Sequence, residues 1–587
     1  MLTPSVTESG VPRRSGNFSS LTDALDYAAT GNTGLNFYAA DASLIAAVSY
    51  SELRDQAMTL AGRLAAVFPR LSRIGLIAET SQDFMVAFMA CQYAGLVPAP
   101  LSLPAAFGGR DAYQGQVART AETADLAVVM APEDLVELLT GALAPLDIPV
   151  IALSGADLAG DSVTPVPHGA GDPAYIQFSS GSTSAPKGIY ATQASVSANC
   201  HAIINEALMM DETDRCVSWL PLYHDMGLVG FFMVPLYSQT TVDYISPTSF
   251  ARRPTTWLKL ISENRGTIVY SPSFGYDLCA RRYRGEPLDL SSLRVAGIGG
   301  DMVRDDAMMA FSNAFEASGF KQTALVPSYG LAETTLGVAF APLGVGLRRD
   351  KVDTGRMQTS GRAVPASDLS KPGQVRTFVA CGKPMASLDL RIVDETGKNL
   401  EDRKVGQIIL RGPSVAAGYF RAEEDALTPL TPLTDADGWL ETGDLGYWLD
   451  GEVVITGRSK DLILWNGRNI WPQDIEWVAQ QTGGKNISGA GAFEINETDG
   501  GTRIVLLAEC WSRDEAVREQ LLHDILAATR KTTGAPVSVE LVGVRSLPMT
   551  SSGKLSRAGA RARYLAGGYN TAPVEDSLAA TAPVRGA

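Results

Sequence analysis

The stretch YIQFSSGSTSAPKG, residues 175–188, combines a strand signal with a loop suited to close contact with a ligand. Its first residues are aromatic or β-branched and predict a strand. Small residues follow at once, namely Ser179, Ser180, Gly181, Ser182 and Thr183. Such a run lets the backbone approach a phosphate and offers it N–H groups and hydroxyls. The signature of nucleoside triphosphatases is not present, because five residues separate Gly181 from Lys187. A plain turn is the alternative interpretation.

Composition excludes several classes of protein. A chain of 587 residues is too long for one core and should form about three or four domains or subdomains. The net charge of −15 argues against nucleic acid or an anionic membrane as the main partner. The six cysteines form no CxxC pair and there are only four histidines, which is typical of a reduced, cytosolic protein without structural zinc.

The sequence has no signal for membrane targeting. The first twenty residues are polar and broken by proline and glycine, without an apolar segment of the kind that signal peptides carry. No apolar run reaches the roughly 18 residues that a spanning helix requires. We therefore expect a cytoplasmic location without stable membrane insertion.

Strand and helix signals alternate along the first two thirds of the chain. Buried-strand patterns recur at residues 73–79, 149–153, 266–273, 293–300 and 323–330. Helical periodicity fills the intervals, and Ser51 is a candidate cap for the first long helix. This alternation predicts an α/β fold with doubly wound sheets, in which ligands bind at the carboxyl ends of strands. The loops at 179–183, 271–274, 299–301 and 328–333 are expected to converge there.

The pattern changes near residue 380. Shorter β-type segments such as LDLRIVD (388–394) and GQIILRG (406–412) alternate with turns, which predicts a β-rich subdomain. We expect a large N-terminal domain over 1–459, with the β-rich subdomain at 380–457, and a small α+β domain over 460–565. Residues 566–587 read as a flexible tail.

Six motifs, spread over nearly the whole chain, occur in the same order as in a known family of proteins. They are FSSGSTSAPKG (178–188), WLPLYHDMG (219–227), PSYGLAETT (327–335), ETGDLG (441–446), GRSKDLILWNGRNIWPQDIE (457–476) and PMTSSGKLSR (548–557). Together they resemble the adenylate-forming superfamily of acyl-CoA synthetases, peptide-synthetase adenylation domains and luciferases. The strings LPLYHDMGLVG, SPSFGYDLCARR and GRNIWPQDIE look most like those of fatty acyl-AMP ligases.

The resemblance implies that a fatty acid carboxylate attacks the α-phosphate of ATP while Mg²⁺ bridges the phosphates. The residues that would contact the nucleotide are Ser179, Ser180, Gly181, Ser182, Thr183, Lys187, Gly300, Asp301, Ser328, Tyr329, Gly330, Asp444 and Arg458. Lys554 and Glu333 would be catalytic, and Glu333 would be a ligand of the metal. The acyl pocket would include His224, Asp225, Gly230, Phe231, Phe274 and Tyr276.

Lys460 matches the position of the hinge about which the small, mobile C-terminal domain swings in this family. Each assigned residue also has a structural alternative. Lys554 could be a solvated loop lysine and Glu333 an acid in a first helical turn. Asp444 could belong to a plain turn and Tyr329 to the core.

The resemblance implies transfer of the acyl group to the phosphopantetheine thiol of an acyl carrier protein, or of a carrier domain in a polyketide or peptide synthase. A CoA-forming acyl-CoA synthetase for long or medium chains is the first alternative, and a non-catalytic nucleotide- or acyl-binding module is the second. The polar run at 343–376 resembles an insertion that marks fatty acyl-AMP ligases, and it has no strong element signals of its own. We expect this segment to hinder the use of CoA.

Overall fold

The computed structural model describes residues 5–104, 109–158, 162–179, 186–371, 373–420, 430–465, 468–496, 502–549 and 554–569. The first elements are α1 (Leu21–Ala28), β1 (Gly34–Tyr38), β2 (Leu44–Ser49), α2 (Tyr50–Val67), β3 (Arg73–Ile77), α3 (Gln82–Ala94), β4 (Val97–Leu101), α4 (Gly109–Thr123), β5 (Val128–Ala131), α5 (Glu133–Leu143), β6 (Val150–Ala152), β7 (Pro173–Ser179), β8 (Lys187–Thr192), α6 (Gln193–Ala202) and β9 (Arg215–Ser218).

The central part of the chain continues with α7 (Asp225–Leu228), α8 (Val234–Tyr237), β10 (Thr241–Ile245), α9 (Pro247–Arg252), α10 (Thr255–Asn264), β11 (Ile268–Ser271), α11 (Ser273–Arg282), β12 (Val295–Ile298), α12 (Asp305–Phe315), β13 (Leu325–Gly330), β14 (Gly337–Phe340), β15 (Arg349–Asp353), α13 (Thr354–Ser360) and β16 (Val375–Val379).

The last part contains β17 (Lys383–Pro384), β18 (Asp389–Val393), β19 (Gly406–Arg411), β20 (Gly418–Phe420), β21 (Leu430–Thr431), β22 (Leu440–Leu449), β23 (Glu452–Arg458), β24 (Ile463–Trp465), β25 (Arg468–Ile470), α14 (Pro472–Gly483), β26 (Ile487–Asn496), β27 (Thr502–Cys510), α15 (Glu515–Thr533), β28 (Val537–Gly543) and α16 (Arg557–Leu565).

Two sheets with parallel strands form the body of the large domain. The larger sheet has the order β17-β14-β13-β12-β11-β9-β10-β1-β2, and its strands from β13 to β1 are parallel. The smaller has the order β4-β3-β5-β6 and is parallel throughout. The predicted α/β class is confirmed, since strands buried on both faces alternate with helices as the apolar runs require.

The strand at the start of the quoted motif lies in a third sheet. β7 pairs antiparallel with β8 in the order β21-β20-β8-β7, so the loop at 179–183 joins a hairpin. The prediction that this loop follows a strand of a doubly wound sheet was therefore wrong. Alternation of apolar residues indicates a strand but does not specify its partner, and antiparallel neighbours need only a short connection.

The first long helix begins before the predicted cap. α2 starts at Tyr50, and Ser49 and Glu52 form a capping box in which Ser49 Oγ accepts from the Glu52 amide. The prediction of Ser51 as the cap was wrong, because the glutamate three residues beyond the cap selects the earlier serine.

The run at 343–376 contains regular structure, contrary to expectation. β15 and β16 pair antiparallel, with Asp353 opposite Val375, and α13 lies between them. Asp353 caps α13 by accepting from the Arg356 amide. Both strands are short and carry charged residues, so the sequence pattern concealed them.

The C-terminal unit is built on the sheet β26-β27-β28. Helices α14 and α15 pack on an apolar cluster that includes Ile475, Leu506 and Ile525. Before this unit, β18, β19, β22 and β23 form the antiparallel sheet expected for the β-rich subdomain.

Two further features bear on the environment of the protein. No helix within the described residues is long and apolar enough to cross a membrane. All six cysteines are buried.

A buried charged cluster crosses the larger sheet at β10. Asp243 is fully buried and accepts hydrogen bonds from Arg215 Nε at 2.7 Å and Nη2 at 2.8 Å. Asn36 Nδ2 and Asn264 Nδ2 donate to the same carboxylate at 2.7 and 3.0 Å. Because these partners come from β9, β1 and α10, one carboxylate holds three neighbouring elements in register.

Asp243→Ala should destabilise the large domain by about 3–5 kcal/mol, because Arg215 would remain buried without its counter-ion. Chemical denaturation followed by tryptophan fluorescence would measure the change. Glu263→Ala is the matched control, since Glu263 is half-exposed and pairs with Lys259 at 3.7 Å, a contact expected to contribute less than about 1 kcal/mol. Equal effects of the two substitutions would contradict the prediction.

Candidate active site

Three of the predicted loops do converge at the carboxyl ends of adjacent parallel strands. They follow β11, β12 and β13, which lie side by side in the larger sheet. Gly300 has a φ of +78°, a left-handed conformation that favours glycine. Position 330 must be a glycine for steric reasons, since a Cβ there would lie 2.0 Å from the carbonyl oxygen of Leu336.

Asp444 is the buried anion at the centre of this edge. The hydroxyl of Tyr329 donates to Asp444 Oδ2 at 2.8 Å, and Arg458 Nε lies 3.2 Å from Oδ1. β22 and β23 place Asp444 directly opposite Arg458 in the antiparallel register. Burial raises the pKa of Asp444 and the positive charge of Arg458 opposes this effect. Asp444 in turn raises the pKa of Arg458.

Glu333 lies in a short 3₁₀ turn after β13 and is held by a residue that the motifs did not reveal. The hydroxyl of Tyr419, on β20, donates to Glu333 Oε1 at 3.0 Å. The ammonium of Lys187, at the start of β8, lies 5.0 Å from the centre of the Tyr419 ring. Tyr419 thus joins the candidate metal ligand to the strand that follows the phosphate loop. Its GYF context reads as an ordinary strand, so sequence alone gave no signal for this contact.

The environment of Glu333 is compatible with a magnesium ion. Mg²⁺ commonly binds through one or two carboxylates together with substrate phosphates, so a dedicated cage is not required. Consistent with this, the described residues contain no cluster of three or more His, Cys, Asp or Glu side chains suited to a metal. Glu333 would hold the ion.

The C-terminal unit brings Lys554 to the same edge. Its charge acts on both Asp225 and Asp444 and favours their ionised forms. Burial alone would raise the pKa of Asp225, but the hydrogen bond from His224 Nδ1 at 2.8 Å and the charges of His224 and Lys554 lower the pKa overall. Burial and the neighbouring Arg458 lower the pKa of Lys460. Positive and negative side chains therefore interact with each other at this edge of the sheet.

A narrow apolar cavity of about 60 Å³ opens at this edge. Its polar and glycine residues include Asp225, Gly300, Ser328, Tyr329 and Gly330. Its apolar lining includes Met226, Phe231, Leu208, Met210, Cys216, Ile268, Tyr270, Leu336 and Phe340, and Gly230 leaves room beside them. The arrangement joins an ionic edge to a slot that suits a hydrocarbon chain.

Some predicted residues lie apart from this arrangement. Tyr276 is fully buried and donates to the Gly297 carbonyl oxygen at 2.9 Å, so it packs in the core and does not line the cavity. Phe274 is exposed and packs its ring edge against Trp219. His224 contacts Asp225 without lining the cavity. Asp301 is exposed at the mouth and accepts from the Met302 amide at 2.7 Å.

The predicted phosphate loop is described only in part. Ser179 ends β7, whereas Ser180, Gly181, Ser182 and Thr183 lie outside the described residues. Lys187 begins β8 and is exposed.

Comparison with known proteins identifies the class. The family model of AMP-binding enzymes matches residues 36–420, so the chain belongs to the AMP-binding enzyme family and is an adenylate-forming ligase. Within that class it falls among the fatty acyl-AMP ligases. A solved structure from a study of fatty acyl-adenylate ligases of E. coli and L. pneumophila superposes with a TM-score of 0.88 and 38% identity, over 95% of this chain and 99% of that one.

Two curated relatives are similar over nearly their full lengths. A Caulobacter vibrioides protein named "Putative acyl-CoA synthetase" is 44% identical, over 97% of this chain and 99% of that protein. The medium-chain-fatty-acid–[acyl-carrier-protein] ligase JamA of Moorena producens is 32% identical, over 94% of this chain and 96% of that protein.

Asp444→Ala should raise the apparent KM for ATP by about 10- to 100-fold, because hydrogen bonds to a charged group typically contribute about 1.5–3 kcal/mol. Asp444→Asn should have a smaller effect, since the amide oxygen can still accept from Tyr329. Exchange of labelled pyrophosphate into ATP would measure both. Asp437→Ala, at an exposed turn of the same subdomain, is the control. An unchanged KM in a folded Asp444→Ala protein would remove Asp444 from the nucleotide site.

Proposed function

We propose that the protein joins a fatty acid to AMP and then passes the acyl group to the phosphopantetheine thiol of an acyl carrier protein. The observation that carries this proposal is the hydrogen bond between Tyr329, which lines the apolar cavity, and Asp444, which pairs with Arg458 and interacts with the charge of Lys554. A hydrocarbon chain in the cavity would place its carboxylate near Tyr329, on the side of Arg458 and Lys554.

The first half-reaction needs positioning and charge neutralisation more than proton transfer. A carboxylate oxygen of the fatty acid attacks the α-phosphorus, the bond from that phosphorus to the bridging oxygen breaks, and pyrophosphate leaves with the electron pair. Lys554 would neutralise charge that develops on the α-phosphate, and Asp444 would accept the ribose hydroxyls. Mg²⁺, held by Glu333 and the phosphates, would supply further charge neutralisation.

In the second half-reaction a thiolate attacks the acyl carbon, and AMP leaves as the bond from that carbon to the phosphate oxygen breaks. The family hinge corresponds to Lys460, which lies in a 3₁₀ turn between the β-rich subdomain and the C-terminal unit. Rotation there would withdraw Lys554 and admit the thiol.

Lys554→Ala should lower pyrophosphate exchange by at least about 100-fold, as loss of one preorganised contact to the transition state commonly costs about 3 kcal/mol or more. Transfer from supplied acyl-adenylate should change much less, because Lys554 is withdrawn in that step. Lys485→Ala, at an exposed site of the same unit, is the matched control. Exchange within a few-fold of the parent protein would refute the mechanism.

The choice between a carrier protein and CoA rests on the segment at 343–376. On one side Asp350 accepts from Tyr447 at 2.7 Å and from Arg403 at 3.0 Å, which fixes the segment to the β-rich subdomain. On the other side Arg376 Nη1 donates to Asp474 of α14 at 2.5 Å, and both side chains are buried. The segment therefore ties the C-terminal unit to the large domain.

The contact between Arg376 and Asp474 has features of a contact that can open. Among the described residues, Arg376 Nε and Asp474 Oδ2 are buried without a hydrogen-bond partner. The guanidinium of Arg376 also lies 4.3 Å from the ring centre of Phe378 and 4.5 Å from that of Trp477. A buried ion pair with incomplete hydrogen bonding contributes little net stability. We propose that it restrains the swing that free CoA would require.

Replacing residues 354–374 with an Asn-Gly turn in a variant that also carries Arg376→Leu should preserve pyrophosphate exchange and raise acyl-CoA formation, because the turn alone would leave the contact of Arg376 with Asp474 in place. Asp353 and Val375 are opposite each other in the register, so a two-residue turn fits between them. Acyl transfer to CoA and to a holo-carrier protein would be compared by mass spectrometry with a panel of fatty acids.

The Caulobacter relative, whose name refers to acyl-CoA synthesis, favours a second candidate function, whereas the name of JamA favours transfer to a carrier protein. Efficient acyl-CoA formation by the unaltered protein would establish the second candidate. Absence of any fatty-acid-dependent exchange would leave only a binding module.

A further inference from the structure

Arg557, the last residue of the motif that contains Lys554, makes ionic contacts with two carboxylates. Its Nε and Nη2 each donate to Glu476 of α14 at 2.7 Å, in a bidentate fork. Its Nη1 donates to Asp461 Oδ2 at 2.8 Å. Glu476 is buried, and its Oε1 also accepts from the amide of Ala492 on β26. The guanidinium geometry makes this contact specific as well as strong.

The position of Arg557 is unfavourable for its own helix. It is the first residue of α16, where the helix dipole disfavours a positive charge, and that first turn contains no acidic residue. The arrangement is therefore better explained by what Arg557 joins than by the stability of α16.

The two carboxylates bring different parts of the site to one guanidinium. Asp461 belongs to the turn at Ser459–Asp461 and follows the candidate hinge Lys460. Glu476 lies in α14, which packs on the sheet of the C-terminal unit. On the Lys554 side, the Ser556 amide donates to the Pro548 carbonyl oxygen at 2.9 Å, and Leu555 forms a bridge with Met549. These contacts close the base of the segment that presents Lys554.

We propose that Arg557 is a positioning residue for adenylate formation, which fixes the base of the Lys554 segment to the hinge turn through Asp461. Rotation at the hinge then moves Lys554 as part of a rigid unit, and the ammonium reaches the α-phosphate without a search among loop conformations. The inference rests on the proposed role of Lys554. It extends that proposal to two residues, Arg557 and Asp461, that need not touch the substrate.

Asp461→Asn is the most selective test, since it is isosteric, lies at a partly exposed site and leaves the fork to Glu476 in place. The kcat of pyrophosphate exchange should fall by about 10- to 100-fold, the cost of a misplacement near 1 Å. The KM for ATP and the melting temperature should stay close to those of the parent protein. Transfer from supplied acyl-adenylate should be unchanged. Arg557→Lys should lower the kcat of exchange in the same way but also lower the melting temperature, because one ammonium cannot form both the fork to buried Glu476 and the contact with Asp461.

The double variant Asp461→Asn/Lys554→Ala decides whether the effect acts through Lys554. We expect exchange no slower than that of Lys554→Ala alone, because the effects of substitutions at two coupled residues on the rate do not add. An additional loss in the double variant, an equal loss in both half-reactions, or unchanged exchange in Asp461→Asn would each overturn the proposal. If Lys554→Ala itself retained exchange, the proposed function would fail instead, so the two failures are distinguishable.

Discussion

The buried carboxylate of Asp444 is the contact on which the candidate site depends. It lies between a hydroxyl from the parallel sheet and a guanidinium from the next strand of the β-rich subdomain, so it joins two layers of the large domain. Positive groups that lie close together repel each other, and burial together with the neighbouring charge of Arg458 lowers the pKa of Lys460. Carboxylates placed between such groups let the site form before any phosphate arrives.

The ionic part and the apolar part of the candidate site lie in different places in the fold. The ionic part lies at strand ends, where loops are free to vary, whereas the cavity runs between the sheet and the helical segment around Phe231. Asp225 and Tyr329 stand at the boundary between them. On the proposed function, a molecule with a charged head and an apolar tail would be oriented by the site before chemistry begins.

Sequence reasoning identified the fold class because apolar runs mark parallel strands. The ionic half of the candidate site was predicted from motifs, which bring Asp444, Arg458, Glu333 and Lys554 into one hypothesis. Sequence reasoning did not find Tyr419, whose contact with Glu333 depends on the pairing of β20 with β8. Strand partners are set by tertiary packing, so a residue that acts across a sheet has no nearby pattern to reveal it.

The predicted acyl pocket also shows that sequence patterns do not specify tertiary contacts. Phe274 and Tyr276 follow a strand end, which made them candidates, yet α11 turns one ring to solvent and the other into the core. The cavity is lined instead by residues such as Leu336 and Phe340, which are distant from Phe231 in sequence. Apolar residues give the same sequence signal whether they line a cavity or pack in the core. Only the tertiary packing distinguishes the two.

The burial of every cysteine has a chemical meaning for an enzyme that makes a mixed anhydride. Acyl-adenylates react with thiolates, and a thiolate exists only where the pKa allows it. Burial raises the pKa of Cys91, Cys200, Cys216, Cys279 and Cys381, and Cys216 is part of the cavity wall itself. On the proposed function, this burial would protect the protein from its own product and keep the acyl group for a sulfur atom that another molecule brings.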